Sequence, residues 1–161
     1  QWLYLPALKR VKRITSDNRS GSFVGSEFAY EDLGSQELEK YKDRKYLRKE
    51  VCPNNNELEC HVISRVPTEK SSGYKYQVLW LDDTAAHKVW KIDYFDRKGS
   101  HLKTLFFDDY NIYLDKHWRP SIYKMINHQT GKSTDLLVQN IKFKIGLSSR
   151  DFNPKSLSRA R

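Results

Sequence analysis

The chain has 161 residues, is 38% hydrophobic and 13% aromatic, and carries a formal net charge of +9. That length fits one domain over 1–161, and no stretch approaches the roughly 18 apolar residues of a membrane-spanning helix. The charge favours anionic partners, but the cations are dispersed. The densest groups, Lys9-Arg10-Lys12-Arg13 and Lys42 to Lys49, are not long blocks of like charge and point to a solvated basic surface.

Trp2 to Leu5 reads as the end of a strand stopped by Pro6. Residues 8–14 alternate in polarity and suit a short strand, although a helix also fits. Thr15 to Ser22 is polar turn material. Gly21-Ser22-Phe23-Val24-Gly25-Ser26-Glu27-Phe28-Ala29-Tyr30-Glu31-Asp32-Leu33 then joins glycines, aromatics and acids in one stretch. Its large rings are costly to leave in water, so it is expected to pack across a sheet as a lid, with Phe23, Phe28 and Tyr30 as anchors. Glu31-Asp32-Leu33 and Ser35-Gln36-Glu37-Leu38 suit the starts of one or two short helices within 28–38.

From Tyr41 the chain reads as all β, with strands expected over 41–51, 57–66, 74–82, 88–96, 102–113, 117–127 and 132–144. Turn residues separate them, among them Pro53-Asn54-Asn55, Asp82-Asp83-Thr84 and Gln129-Thr130-Gly131. Regular strands with short turns imply an antiparallel meander, hence a curved sheet or open barrel. The tail from Asn153 to Arg161 suits a short helix begun near Pro154 or a frayed end.

One face can be worked out by register. Asp96-Arg97-Lys98-Gly99 suits a three-residue hairpin loop with Gly in the left-handed position. That register pairs Asp96 with Ser100, Tyr94 with Leu102, Ile92 with Thr104 and Trp90 with Phe106. Pairing Trp80 with Trp90 then sets Val78 by Ile92 and Tyr76 by Tyr94. Tyr76, Val78, Trp80, Trp90, Ile92, Tyr94 and Phe106 are therefore expected on one apolar, ligand-facing surface, and the polar, opposite side carries Lys75, Gln77, Lys91, Asp93 and Lys103, although Leu79, Phe95 and Phe107 fall there too. A slip of one residue would reverse every side chain.

Little in the sequence suggests catalysis. Gly131-Lys132-Ser133-Thr134 imitates the end of a phosphate-binding loop, but Ile126 stands where the first glycine belongs. Gly21 to Gly25 has Phe23 where a nucleophile elbow needs Ser. His61, His87, His101, His117 and His128 are scattered, without metal spacing. Asp82-Asp83 and Asp108-Asp109 are adjacent, so on strands each pair points to opposite faces. No enzyme, metal or cofactor is expected. Cys52 and Cys60 bracket a turn signal; if their flanks pair as a hairpin they can meet at disulfide distance, the alternative being two separate buried thiols. A disulfide is the expectation.

Trp2-Leu3-Tyr4-Leu5-Pro6-Ala7-Leu8-Lys9-Arg10-Val11-Lys12-Arg13-Ile14, followed by Gly21 to Ser26 and Tyr30-Glu31-Asp32-Leu33, resembles the outer-membrane lipoprotein-sorting family of LolA- and LolB-like periplasmic proteins. Tyr94-Phe95-Asp96-Arg97-Lys98-Gly99 and Lys132-Ser133-Thr134-Asp135-Leu136 add weaker matches. The resemblance implies an unclosed β-barrel with one or two short helices across its mouth and an apolar cavity for acyl chains. It also implies an oxidising periplasm, lipoprotein acyl chains or lipid as ligand, and a membrane-bound envelope partner. A family member would carry a signal peptide, a helix and several strands before the motif, so the chain is expected to be the C-terminal portion of a longer LolA-like barrel. An open sheet edge would then offer a homodimer contact. The alternatives are a basic nucleic-acid-binding domain, for which Tyr41 to Lys49 has the composition but no recognition motif, and a structural envelope-interaction domain without lipid. No nucleic-acid partner is expected on the leading reading.

Overall fold

The computed structural model describes residues 2–157. Strands β1 (Trp2–Leu5) and β2 (Arg10–Arg13) form a small antiparallel hairpin. The main sheet is a meander in chain order: β3 (Tyr41–Cys52), β4 (Asn55–Pro67), β5 (Tyr74–Asp82), β6 (Val89–Asp96), β7 (His101–Tyr113), β8 (His117–Asn127) and β9 (Ser133–Leu137). Every neighbouring pair is antiparallel. β3 and β9 remain as edges, so the sheet is not closed into a barrel. Helical structure among the described residues is confined to 3₁₀ turns at Pro6–Leu8, Ser16–Asn18 and Leu38–Lys40 and one α-helical turn, α1 (Pro154–Leu157), which packs against β1 and β2.

Local chemistry explains where the elements stop. Pro6 opens a 3₁₀ turn that Lys9 closes at φ 47°, so the strand expected over 8–14 begins only at Arg10. β9 ends at Leu137 rather than near 144, and beyond it Asn140, Lys144 and Gly146 all take positive φ, which breaks the alternation of a strand. The end of the expected tail, 158–161, lies outside the described residues.

The 28–38 segment forms no α-helix, and only its last residue, Leu38, enters a 3₁₀ turn. It turns tightly, with Asp32 N–H donating to the Ala29 carbonyl and Gly34 N–H to the Glu31 carbonyl, and Ser22 bridges Ala29. The acidic side chains that suggested helix starts are instead committed to partners elsewhere. Asp32 reaches β5 and β7, and Glu31 reaches the turn before β5.

The register on β5–β7 corrects the expected face. The Asp96–Ser100 pairing holds, with Asp96 N–H donating to the Ser100 carbonyl over 2.9 Å. An irregularity between Tyr94 and Phe95 then shifts β7 by one residue. Tyr94 faces Lys103 rather than Leu102, Ile92 faces Leu105 rather than Thr104, and Lys91, not Trp90, faces Phe106. A second irregularity between Trp80 and Leu81 sets Trp80 opposite Lys91, Val78 opposite Asp93 and Tyr76 opposite Phe95. Bulges of this kind insert an unpaired residue and reset alternation. Ile92 and Tyr94 therefore leave the surface carrying Tyr76, Val78 and Trp80.

Two cores result, one on each side of the sheet. Leu79, Ile92, Tyr94, Leu105 and Met125 pack with Tyr74 and with Phe28 from the segment before β3. Val78, Trp80 and Trp90 pack with Val62, Cys52 and Cys60. Cys52 and Cys60 are joined by a disulfide across the β3–β4 hairpin, with Cα atoms 4.9 Å apart.

Candidate ligand-binding cavity

The side of the sheet bearing Leu79 and Ile92 is laid out in rows. Antiparallel pairing aligns Arg65, Gln77, Tyr94 and Lys103 across β4–β7. Two residues along the strands, the next row on that face is Ile63, Leu79, Ile92, Leu105 and Met125. Beyond it stand Leu81 with Val89, and Phe107 with Tyr123 and Leu136. The face thus changes from polar to apolar along the strand direction.

The Gly21 to Leu33 segment and the chain after it cross this face. Phe28 is buried in the core and Phe23 packs at its border. Phe23 and Tyr30 meet edge to face with centroids 5.6 Å apart. Burying a ring such as Phe28 contributes about 1.5–3 kcal/mol. Polar clamps fix the rest. Asp32 accepts from Lys103 Nζ at 2.7 Å, from the Tyr74 hydroxyl at 2.6 Å and from Ala29 N–H at 2.7 Å. Its carboxylate side chain is fully buried and that of Lys103 nearly so. Lys103 also donates to the Glu27 carbonyl at 3.0 Å. Glu27 in turn ties to β8 and β9, accepting from Asn127 Nδ2 and donating its N–H to Thr134 Oγ1.

Glu31, next to Asp32, ties the segment to the turn before β5, accepting from Gly73 N–H and the Ser72 hydroxyl, each at 2.8 Å. Gly73 is required by this close approach: a Cβ there would lie 3.0 Å from Ser20 Cβ and 3.2 Å from Glu31 Oε1. Burial raises the Glu31 carboxyl above its ordinary value, against the lowering effect of those two donors. Burial likewise pushes the phenols of Tyr74 and Tyr94 well above theirs.

Between cover and sheet lies a cavity of about 720 Å³. Leu79, Leu81, Val89, Ile92, Leu105, Phe107, Tyr123 and Leu136 line its floor, Phe28, Leu33 and Leu38 its roof. Lys88, Lys116, His117, Trp118 and Arg119 line one end and Arg65 with Gln36 another part of the wall. The volume is within the ~300–1,000 Å³ typical of sites for small molecules. With an apolar floor and polar groups at its margins, the space suits an amphiphile.

Of the seven residues expected on the ligand-facing surface, Ile92 and Tyr94 line this cavity. Tyr76, Val78, Trp80, Trp90 and Phe106 do not. Val78, Trp80 and Trp90 belong to the core on the opposite face, Tyr76 stacks on Phe95 with centroids 4.2 Å apart, and Phe106 borders a small cleft with Ile122 and Ile126. Leu81, Val89 and Leu105 were not singled out by the sequence. Leu79 and Phe107 were visible in it as apolar residues on the side thought polar.

Two of the five histidines converge. His101 and His128 stack with centroids 4.3 Å apart. Thr104 Oγ1 lies 2.8 Å from His128 Nε2 and donates to Asp93 at 2.6 Å. His101 Nε2 lies 3.2 Å from the same hydroxyl and 3.4 Å from Asp93 Oδ1, so one ring nitrogen faces both groups, whereas a nucleophile, base and orienting acid in relay use one ring nitrogen each. Among the described residues, no group of three or more His, Cys, Asp or Glu is arranged to hold a metal ion.

A family model described as "uncharacterized protein" matches residues 1–159. A crystal structure described as an outer membrane lipoprotein-sorting protein domain from Vibrio parahaemolyticus is 52% identical and superposes with a TM-score of 0.90, covering 98% of this chain and 65% of that one. This chain belongs to the family of that model, and its fold is LolA-like. A DUF1329 family protein from Desulfovibrio piger is 26% identical with a TM-score of 0.86, over 97% of this chain and 63% of that one. A LolA superfamily protein from Nitrosomonas europaea shares the fold, with a TM-score of 0.62 at 18% identity, over 92% of this chain and 66% of that one. The LolA-like chain described here thus spans just under two thirds of each of these structures. No curated protein matches it.

Proposed function

We propose that this LolA-like chain is a non-catalytic carrier or receptor that shields acyl chains of lipids or lipid-modified proteins in the envelope. The observation that carries the reading is the cavity of about 720 Å³ between an apolar sheet face and a cover held by polar clamps. Each CH₂ moved from water into such a space gains ~0.8 kcal/mol, so one acyl chain supplies substantial affinity without specific contacts. The cover can be released by breaking a few polar clamps while the sheet stays intact, and a carrier needs such release. The likeness to the Vibrio lipoprotein-sorting domain supports a place in outer membrane lipoprotein sorting, and with it a periplasmic location and a membrane-bound envelope partner. A homodimer would form through β9 more readily than through β3, whose Lys42, Arg44, Lys45, Arg48 and Lys49 guard that edge.

The test is binding of a fluorescent fatty acid to two variants. Leu81→Trp, at a half-buried position on the cavity floor, should weaken binding by about tenfold or more, a loss of ~1.4 kcal/mol. Phe106→Ala, on the opposite face, should leave binding unchanged. The reverse pattern would move the site to the other face, and no binding by the parent protein would end the carrier reading.

A further inference from the structure

Three cations stand at or near the cavity face in buried or half-buried positions, and they are not treated alike. Lys103 has Asp32 at 2.7 Å, and Lys88 has Asp82 at 3.7 Å. Arg65 is only 9% exposed, yet no carboxylate lies within ion-pair distance of it among the described residues. Its bonds go to neutral groups. Nε donates to Gln77 Oε1 at 2.8 Å, Nη2 donates to Gln36 Oε1, and the guanidinium lies 3.5 Å over the Tyr41 ring. Asp32, the one carboxylate in the cavity lining, is already taken by Lys103.

Nη1 makes no hydrogen bond to any described residue, and among the described residues no fully buried side-chain nitrogen or oxygen lacks a partner, so Nη1 is not fully buried; Arg65 itself lines the cavity. A buried charge without a counter-ion is costly to the fold. A planar guanidinium with a free N–H edge also has the geometry that pairs with a carboxylate or phosphate. The row order adds direction. Arg65 heads the polar row, and Leu79, Ile92 and Leu105 lie in the next row, about 7 Å along the strands.

We propose that Arg65 anchors the anionic headgroup, a carboxylate or phosphate, of an amphiphile whose hydrocarbon chain lies over Leu79, Ile92 and Leu105. The inference rests on the carrier reading and narrows its ligand to anionic lipids. On binding, the headgroup supplies the counter-charge that the folded chain withholds from Arg65. Gln36, from the cover, then bridges headgroup site and roof, so that filling the site and closing the cover are coupled.

Displacement of the neutral dye Nile red tests this, with oleate, oleyl phosphate and methyl oleate as competitors. The parent protein should prefer one or both anions over the ester by about tenfold or more, and whichever anion binds more tightly identifies the headgroup chemistry. Arg65→Gln should reduce that preference to near parity while methyl oleate competes as before. Equal competition by all three in the parent protein overturns the headgroup site but leaves the carrier reading standing. Failure of all three to compete overturns both. Should Arg65→Gln fail to fold, oleate labelled with ¹³C at its carboxyl gives the answer from the parent protein alone. The bound carboxyl should titrate below its value in neutral detergent micelles; titration at or above that value overturns the site.

Discussion

The two faces of the sheet are built from the same kinds of residue and end differently. On the cavity face, Leu79, Ile92 and Leu105 are covered by a separate stretch of chain, anchored by Phe28 and by polar clamps and leaving a cavity beside it. On the opposite face, Trp80 is covered by side chains from its own sheet. Lys91 Nζ sits 3.9 Å over its ring, Arg48 lies 5.8 Å from the ring centre, and Glu50 accepts from its indole N–H. Long cationic side chains lie flat on aromatics and exclude water locally, and the cleft beside Phe106 on that face is small. A backbone segment cannot follow the floor so closely. Whether an apolar face holds a void is decided here by what covers it rather than by how apolar it is.

The comparison can be broken most forcefully at Asp32. Asp32→Ala leaves Lys103 as an uncompensated buried charge and removes the acceptor for Tyr74, and should cost about 3–5 kcal/mol. Chemical denaturation measures the loss, and binding of an apolar dye should rise as the cover loosens. A loss under about 1 kcal/mol would mean the clamp does not hold the cover. Replacing Cys52 and Cys60 together by Ala acts on the other face. The closed loop is short, so the expected cost is about 2–3 kcal/mol, with ligand binding at the cavity unchanged. Altered binding would show that the two faces are coupled.

The smallest expected effect is at Glu31 and concerns pH. Burial holds its folded-state pKa above the ordinary value of a free glutamate side chain, so the folded form keeps the proton more readily than the unfolded one. The contribution to stability is therefore fully present below the unfolded value and is lost as pH rises through the folded value. Glu31→Gln should remove this dependence, and the difference in Tm between acid and neutral pH should change accordingly. An identical pH profile in the variant would show that Glu31 is not strained by burial.

The meander was legible because turn chemistry punctuates it. Pro53-Asn54, Asp96 to Gly99 and Asn127 to Gly131 fall between strands, and the strand boundaries from Tyr41 to Asn127 follow. Which way the strands face was not legible, for two reasons. The hairpin after Asp96 sets its first pair as its residues suggest, and a bulge one step later undoes the count. The polarity contrast that should have revealed this is weak, since Leu79-Trp80-Leu81 and Tyr94-Phe95 place large apolar groups on both sides. Those adjacent apolar pairs are themselves the missed signal: a strand with no polar side has two buried faces. Lys103 misled for a different reason. It reads as solvent-facing, and its partner Asp32 is 71 residues away. The lid stretch was recognisable from its rings. The roles of its acids were not, because helix starts and clamps use the same residues.

The order of the chain gives that cover a place in time. Each strand of the main sheet pairs with the one before it, so the sheet can be assembled from near neighbours as it is made. The cover is made before any of them, yet its ties reach Lys103, Asn127 and Thr134, with sequence separations of 71, 100 and 107. Contacts that distant bear the largest loop-closure cost and form late. The segment synthesised early is thus among the last to settle, and until it does the apolar floor stands open to whatever hydrocarbon is at hand.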